Sequence, residues 1–223
     1  MGVTGIIDLP ASNGHRFILV AIEYFTKWVE TASYKNVTKK VVTDFLRNHI
    51  ICRFDVPETL ITHNAKNLNN DMVDGLCNQF KIKHRNSATY RSQMNVAVEA
   101  AYKNLKKIIR KMTEKHRDWH KKLSYALMAY RTAIRTSIEA MPYSLMYGME
   151  VVLPAEIEIP SLRILMEAQL EEAEWIKQRH EQLSLIDERR LNAICHGQCY
   201  QRRMAHAYNK KVRPRLFKEE IQF

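Results

Sequence analysis

The chain has 223 residues, 46% of them apolar, and a formal net charge of +11. That is enough apolar material for one cored domain with an extension, or for two small domains. No run of about 18 uncharged apolar residues exists to cross a membrane, the N-terminus lacks the basic start of a secretory signal, and four cysteines without a CxxC pair imply free thiols in a reducing compartment.

Taken in order, residues 2–8 read as a weak strand, Asn13-Gly14 as a turn, Arg16 to Phe25 as a central strand, and Lys27 to Ala32 as a third strand. The short links favour antiparallel hairpins. Thr38 caps a helix to about Ile51, which ends before Val56-Pro57. Glu58 to Thr62 is a short buried strand, Asn67 to Phe80 a helix, Lys81 to Arg85 a strand, and Asn95 to Lys115 a helix. The order β-β-β-α-β-α-β-α predicts one mixed sheet with helices on its faces, an α/β fold. Asp118 to Ile134 is helical, and Pro142 starts a short helix that Gly148 ends. Residues 1–150 thus form a core domain, 151–160 a proline-pinned extended linker, and 161–223 a helical extension with a basic tail. Trp28 and Trp175 are expected to serve core and helix packing.

The helix from Asn95 carries two stripes. Val98, Ala101, Leu105, Ile108 and Met112 share an apolar face. Lys103, Lys106, Lys107, Arg110 and Lys111 form a basic one, with Glu99 at its head. The plain reading is a solvated surface helix in which Glu99 pairs with Lys103. The charge distribution favours a polyanion partner. Residues 1–80 hold eight basic and eight acidic residues, 81–135 hold fifteen and three, 151–200 five and nine, and 201–218 seven and none. Positive charge segregated in this way is the footprint of nucleic-acid binding.

Four further stretches carry a family resemblance. Residues 11–28 (ASNGHRFILVAIEYFTKW), Ile61-Thr62-His63-Asn64, residues 90–99 (YRSQMNVAVE), and Tyr130-Arg131-Thr132 with Pro142 to Gly148 resemble, collinearly, the integrase catalytic core of gypsy-like (Ty3-type) plant long-terminal-repeat retrotransposons. The resemblance spans roughly residues 1–215. It implies a ribonuclease-H-like five-stranded mixed sheet flanked by helices. It also implies divalent-metal-dependent phosphoryl transfer, in which water attacks the cDNA end and the freed 3′-hydroxyl attacks target DNA. Two ions, Mg2+ or Mn2+, are held in that family by three carboxylates, because hard cations want oxygen ligands.

Carried over residue by residue, only the third carboxylate is present, as Glu99. Gly2 stands in the first slot and His63 in the second. Glycine offers no side-chain ligand, and imidazole suits zinc, copper or nickel better than magnesium. Asp8 lies about 20 Å along the strand from the first slot and cannot replace it. Ser92 and Val96 also depart from the family's proline and glycine. The resemblance therefore implies an integrase-core protein whose copy here is catalytically dead and whose metal binding is lost. The alternatives are a non-enzymatic nucleic-acid-binding module and a folded relic of a mobile element. The residues implied for nucleic acid are Tyr90, Arg91, Gln93, Asn95, Lys103, Lys106, Lys107, Arg110 and Lys111. The implied partners are duplex DNA, as retroelement ends or target, and further copies of the chain, with no membrane; the implied location is the nucleus. The absence of the family's His-His-Cys-Cys zinc domain and of a domain after the basic tail reads as a fragment of a degenerate element.

Overall fold

The computed structural model describes residues 2–87, 96–113 and 118–210; for residues 2–9, 87, 96–99 and 113 it describes the backbone alone. Five strands form one mixed sheet in the order β3-β2-β1-β4-β5. They are β1 (Gly2–Ser12), β2 (His15–Ile22), β3 (Val29–Tyr34), β4 (Thr59–His63) and β5 (Lys83–Ser87). β1 to β3 are antiparallel neighbours, while β4 runs parallel to β1 and β5 parallel to β4. The helices of the core are α1 (Lys39–Phe45), which runs on as a π-helical segment Leu46–Ile51, then α2 (Asp71–Gln79), α3 (Val96–Thr113), α4 (Trp119–Thr132) and α5 (Pro142–Tyr147). After these come α6 (Pro154–Glu158), α7 (Leu162–Ala168), α8 (Glu172–Ser184) and α9 (Ile186–Asn209).

The sheet is covered on both faces, which is why its central strand β2 is apolar almost throughout. Ile18, Val20 and Ile22 turn to one side and pack with Ala101, Leu105 and Ile109 of α3 and Leu123, Ala126 and Tyr130 of α4. Leu19 and Ala21 turn to the other and pack with Val42 and Phe45 of α1 and with Val73 and Leu76 of α2. The β1–β2 hairpin closes at Asn13-Gly14, where both residues have positive φ, 49° and 81°, and Ser12 pairs with His15. That is the two-residue turn for which Asn-Gly is suited.

Several expected boundaries shift for identifiable reasons. The third strand starts at Val29 and not at Lys27. Glu23 gathers the amides of Phe25 and Thr26 and the Thr26 hydroxyl at 2.7–2.9 Å, and Lys27 turns to φ 60°. The fifth strand starts at Lys83, after Lys81 at φ 56°. α2 starts at Asp71 because Asn70 caps it, accepting from the amides of Met72 and Val73. On α3 it is Ile109, 2% exposed, that is buried with Leu105, while Ile108 and Met112 are only packed against the cluster.

The stretch 151–160 is not wholly extended, since Pro154 at a helix start and the Glu156 carboxylate, which accepts from the Leu153 amide at 2.9 Å, close the short α6. The polar region from Ser161 is three helices rather than one. Trp175 is 49% exposed and packs in no core, whereas Trp28 is 3% exposed. Among the described residues no helix is long and apolar enough to cross a membrane.

Candidate nucleic-acid interface and implied acidic site

The apolar side of α3 is fixed by the sheet, so its basic side must face out. Lys103, Lys107, Arg110 and Lys111 are exposed and Lys106 is half-buried. With Tyr102 they line an open depression of about 390 Å³. The Lys106 ammonium lies 5.9 Å from the centre of the Tyr102 ring, a cation–π contact that lays its stem along the groove. None of the five cations is ion-paired with a described carboxylate. From Lys103 to Lys111 the helix advances roughly 12 Å, the axial length of about three to four phosphates on one strand of a duplex. Tyr90, Arg91, Gln93 and Asn95 lie outside the described residues. Glu99 falls in the first turn of α3, described there by its backbone alone.

The two positions that the resemblance matches to the other carboxylates lie on neighbouring parallel strands. Gly2 pairs with Ile61, and Val3 with Thr62, so His63 stands two residues beyond the partner of Gly2. At ordinary strand spacing and rise their α-carbons are about 8 Å apart. Because strand residues alternate, Gly2, Ile61 and His63 share one face of the sheet. Leu60 packs with α1 and α2 on the opposite face, so the shared face is the one α3 covers. Gly2 puts no donor there and His63 puts an imidazole. Among the described residues no group of three or more His, Cys, Asp or Glu side chains is placed to hold a metal ion. These two positions do not fit a pair of magnesium ions.

The strand end that carries His63 is held by a polar network that sequence reasoning missed. The fully buried Thr62 hydroxyl donates to Asn69 Oδ1 at 2.7 Å and lies 2.9 Å from His84 Nε2. His84 Nδ1 donates to Asp74 Oδ1 at 2.7 Å. Asn69 in turn donates to the His63 carbonyl and to Asn64 Oδ1, both at 3.1 Å. Two strands, α2 and the loop between β4 and α2 thus converge beside His63. Only the uniformly polar run Lys83 to Ser87, on a strand that must pair in the sheet, could have hinted at it.

A second network underlies the Tyr130-Arg131-Thr132 motif. Glu30, 3% exposed, accepts from Arg131 Nη2 at 2.5 Å and from Trp28 Nε1 at 3.0 Å, with Arg53 at 3.6 Å. Arg131 also donates twice to the Val29 carbonyl and sits 4.0 Å over the Trp28 ring. Burial pulls the Arg131 guanidinium below its usual range, and the Glu30 charge works against that. This motif ties α4 to β3.

No protein-family model matches the chain. It is 29% identical over 144 residues to the Gag-Pol polyprotein of avian reticuloendotheliosis virus, a match covering 64% of this chain and 12% of that one. It is 30% identical over 142 residues to the Pol polyprotein of radiation murine leukemia virus (strain Kaplan), covering 62% of this chain and 24% of that one. The chain therefore spans a quarter or less of these two relatives. Its fold is similar to that of a chain in the cryo-EM structure of a simian T-cell lymphotropic virus intasome in complex with PP2A regulatory subunit B56 gamma. The TM-score is 0.59 and the identity 18%, over 68% of this chain and 56% of that one. At that identity the likeness speaks for the fold, mixed α/β and integrase-core-like. Together these similarities support an integrase-like region.

Proposed function

We propose that the chain is an integrase-core segment of a gypsy-like plant retrotransposon, with the ribonuclease-H-like sheet of that family, which binds DNA through the basic face of α3 and no longer performs strand transfer. The observation that carries this reading is that Gly2 and His63 share one sheet face on adjacent parallel strands, His63 two residues beyond the partner of Gly2. They stand where the family places two carboxylates, on adjacent parallel strands under α3. Without oxygen donors there, Mg2+ or Mn2+ has no clamp for the attacking and leaving oxygens, and Glu99 alone cannot supply one. Phosphate contacts need no metal. Lys103, Lys106, Lys107, Arg110 and Lys111 supply sequence-independent affinity by themselves. Tyr90, Arg91, Gln93 and Asn95 belong to the same interface by the family motif they sit in, and the nucleus is where such a partner is met.

Two experiments test the loss of catalysis. A magnesium- or manganese-dependent end-joining assay on the chain as written is expected to give no product; joining that disappears with Glu99→Gln refutes the reading. Calorimetry is expected to show no magnesium binding by the native chain and restored binding by the double variant Gly2→Asp, His63→Asp. Equal binding by both would remove the slot assignment.

A further inference from the structure

Fifteen of the twenty-one large apolar residues that the described chain exposes fall within 152–208. The uncovered apolar surface is thus concentrated on the helical extension. Within α8 and α9 only Ala193 is buried. Leu185 alone separates the two helices and keeps a right-handed turn there, φ −86° and ψ −3°, so they form a rod interrupted at Leu185, with roughly 57 Å of helix along its contour.

Among the described residues, the hydrogen bonds and packing that join these helices to the core fall in the middle of the rod. Arg179 donates to the Tyr147 carbonyl at 3.0 Å and Arg190 to that of Leu145 at 3.0 Å. Leu183 and Ile186 line the space beside Gly148, whose φ of 72° would strain any other residue and where a Cβ would lie 3.1 Å from Ile186 Cδ1. Ala193 packs with Ile138 and Leu145, and Gly197 lies against Ile138. Both ends overhang.

Each overhang continues the stripe that docks the rod. Beyond Ala193 and Gly197 the same helical spacing brings Tyr200, Met204 and Tyr208, which are 42%, 54% and 69% exposed. Before Arg179 and Leu183 it brings Ile176 and Trp175, 54% and 49% exposed. The charges of the two ends are opposite. Residues 171–178 hold Glu171, Glu172 and Glu174 against Lys177 alone, whereas 198–210 hold Arg202, Arg203 and Lys210 and no acid. Charges that suit each helix end's own dipole account for the acids and bases but not for the apolar residues set among them. A helix end that buries nothing does not recover its ordering entropy. The basic end taken alone would suit nucleic acid, but that would leave Trp175 and Ile176 uncovered.

We propose that these overhangs dock on each other between copies of the chain: the Tyr200-Met204-Tyr208 end of α9 in one copy packs on the Trp175-Ile176 end of α8 in a second, with Arg202 and Arg203 against Glu172 and Glu174. The surface is small, so the association is concentration-dependent and weakens with salt. This interface is separate from the α3 face and stands whether or not DNA binds there.

The test is sedimentation velocity on the full chain, nuclease-treated, across the micromolar range at low salt. The native chain is expected to self-associate. Arg202→Glu, Arg203→Glu makes both of its ends acidic and Glu172→Arg, Glu174→Arg makes both basic. Each variant alone is expected to associate at least about tenfold more weakly, because like charges then face each other. Mixing the two variants restores opposite charges at both contacts and is expected to restore association, which a misfolded variant could not do. A native chain that stays monomeric throughout, association that nuclease abolishes, variants that associate as well as the native chain, or a mixture that fails to associate would each overturn the proposal.

Discussion

Replacing Arg131 by methionine isolates the buried charge at the centre of the α4–β3 junction. The change removes the 2.5 Å contact to Glu30, both donors to the Val29 carbonyl, and the stack on Trp28. Glu30 keeps Trp28 Nε1 at 3.0 Å and Arg53 at 3.6 Å. The Arg53 side chain is 57% exposed, so its compensation is screened. Breaking a buried pair by removing one partner costs about 3–5 kcal/mol, chiefly because the remaining charge is stranded. For a chain of this size that lowers Tm by roughly 6–20 °C. Glu30→Gln in the same background removes the stranded charge but keeps an acceptor for Trp28, so the double variant is expected to recover part of the loss. Urea melts of the native chain, both single variants and the double variant give the coupling directly. An Arg131→Met variant within about 1 kcal/mol of native, or a double variant at least as unstable as the two single losses summed, would refute the assignment.

Thiol labelling at neutral pH is expected to modify Cys52, Cys195 and Cys199 quickly and Cys77 only on unfolding. The first three are exposed, whereas burial, reinforced by Asp74, pushes the Cys77 thiol up to about 11. Alkali is expected to destabilise the fold for the same reason. Burial raises Cys77 from 9.0 to about 11 and Tyr24 from 10.0 to about 12. Their neutral forms therefore favour the fold fully below the unfolded values, and that contribution is lost as pH rises through the folded ones. Urea midpoints should fall between about pH 9 and pH 12, and the fall should be shallower in Cys77→Ala and Tyr24→Phe; unchanged slopes would contradict this.

The strand-and-helix order was legible because β2 is an unbroken Ile/Leu/Val run, Asn13-Gly14 can close a hairpin, and α3 is amphipathic over its whole length. The slot assignment rests on the collinear motifs alone. Finer choices were set by tertiary contacts. Ile109 wins burial over its neighbour Ile108 because β2 lies on that side of α3. Trp175 was expected to pack and does not, because the core ends before the rod does. Glu30 and Arg131 are 101 residues apart, and no local pattern links them. The Thr62–His84–Asp74 chain joins two strands and a helix in the same way. Each polar residue in it is ordinary on its own segment.

The central claim is that the surviving activity lies in the basic face of α3 and needs no metal. The measurement that tests it most directly is duplex-DNA binding in chelator as a function of salt. If the five cations each neutralise one phosphate, log K falls with log salt at a slope of about −4.5, an affinity loss of roughly 500-fold between about 50 and 200 mM. Replacing Lys103, Lys106, Lys107, Arg110 and Lys111 by glutamine is expected to flatten that slope and weaken binding at low salt. No binding at low salt by the native chain, or a slope and affinity unchanged in the five-fold variant, would contradict the account.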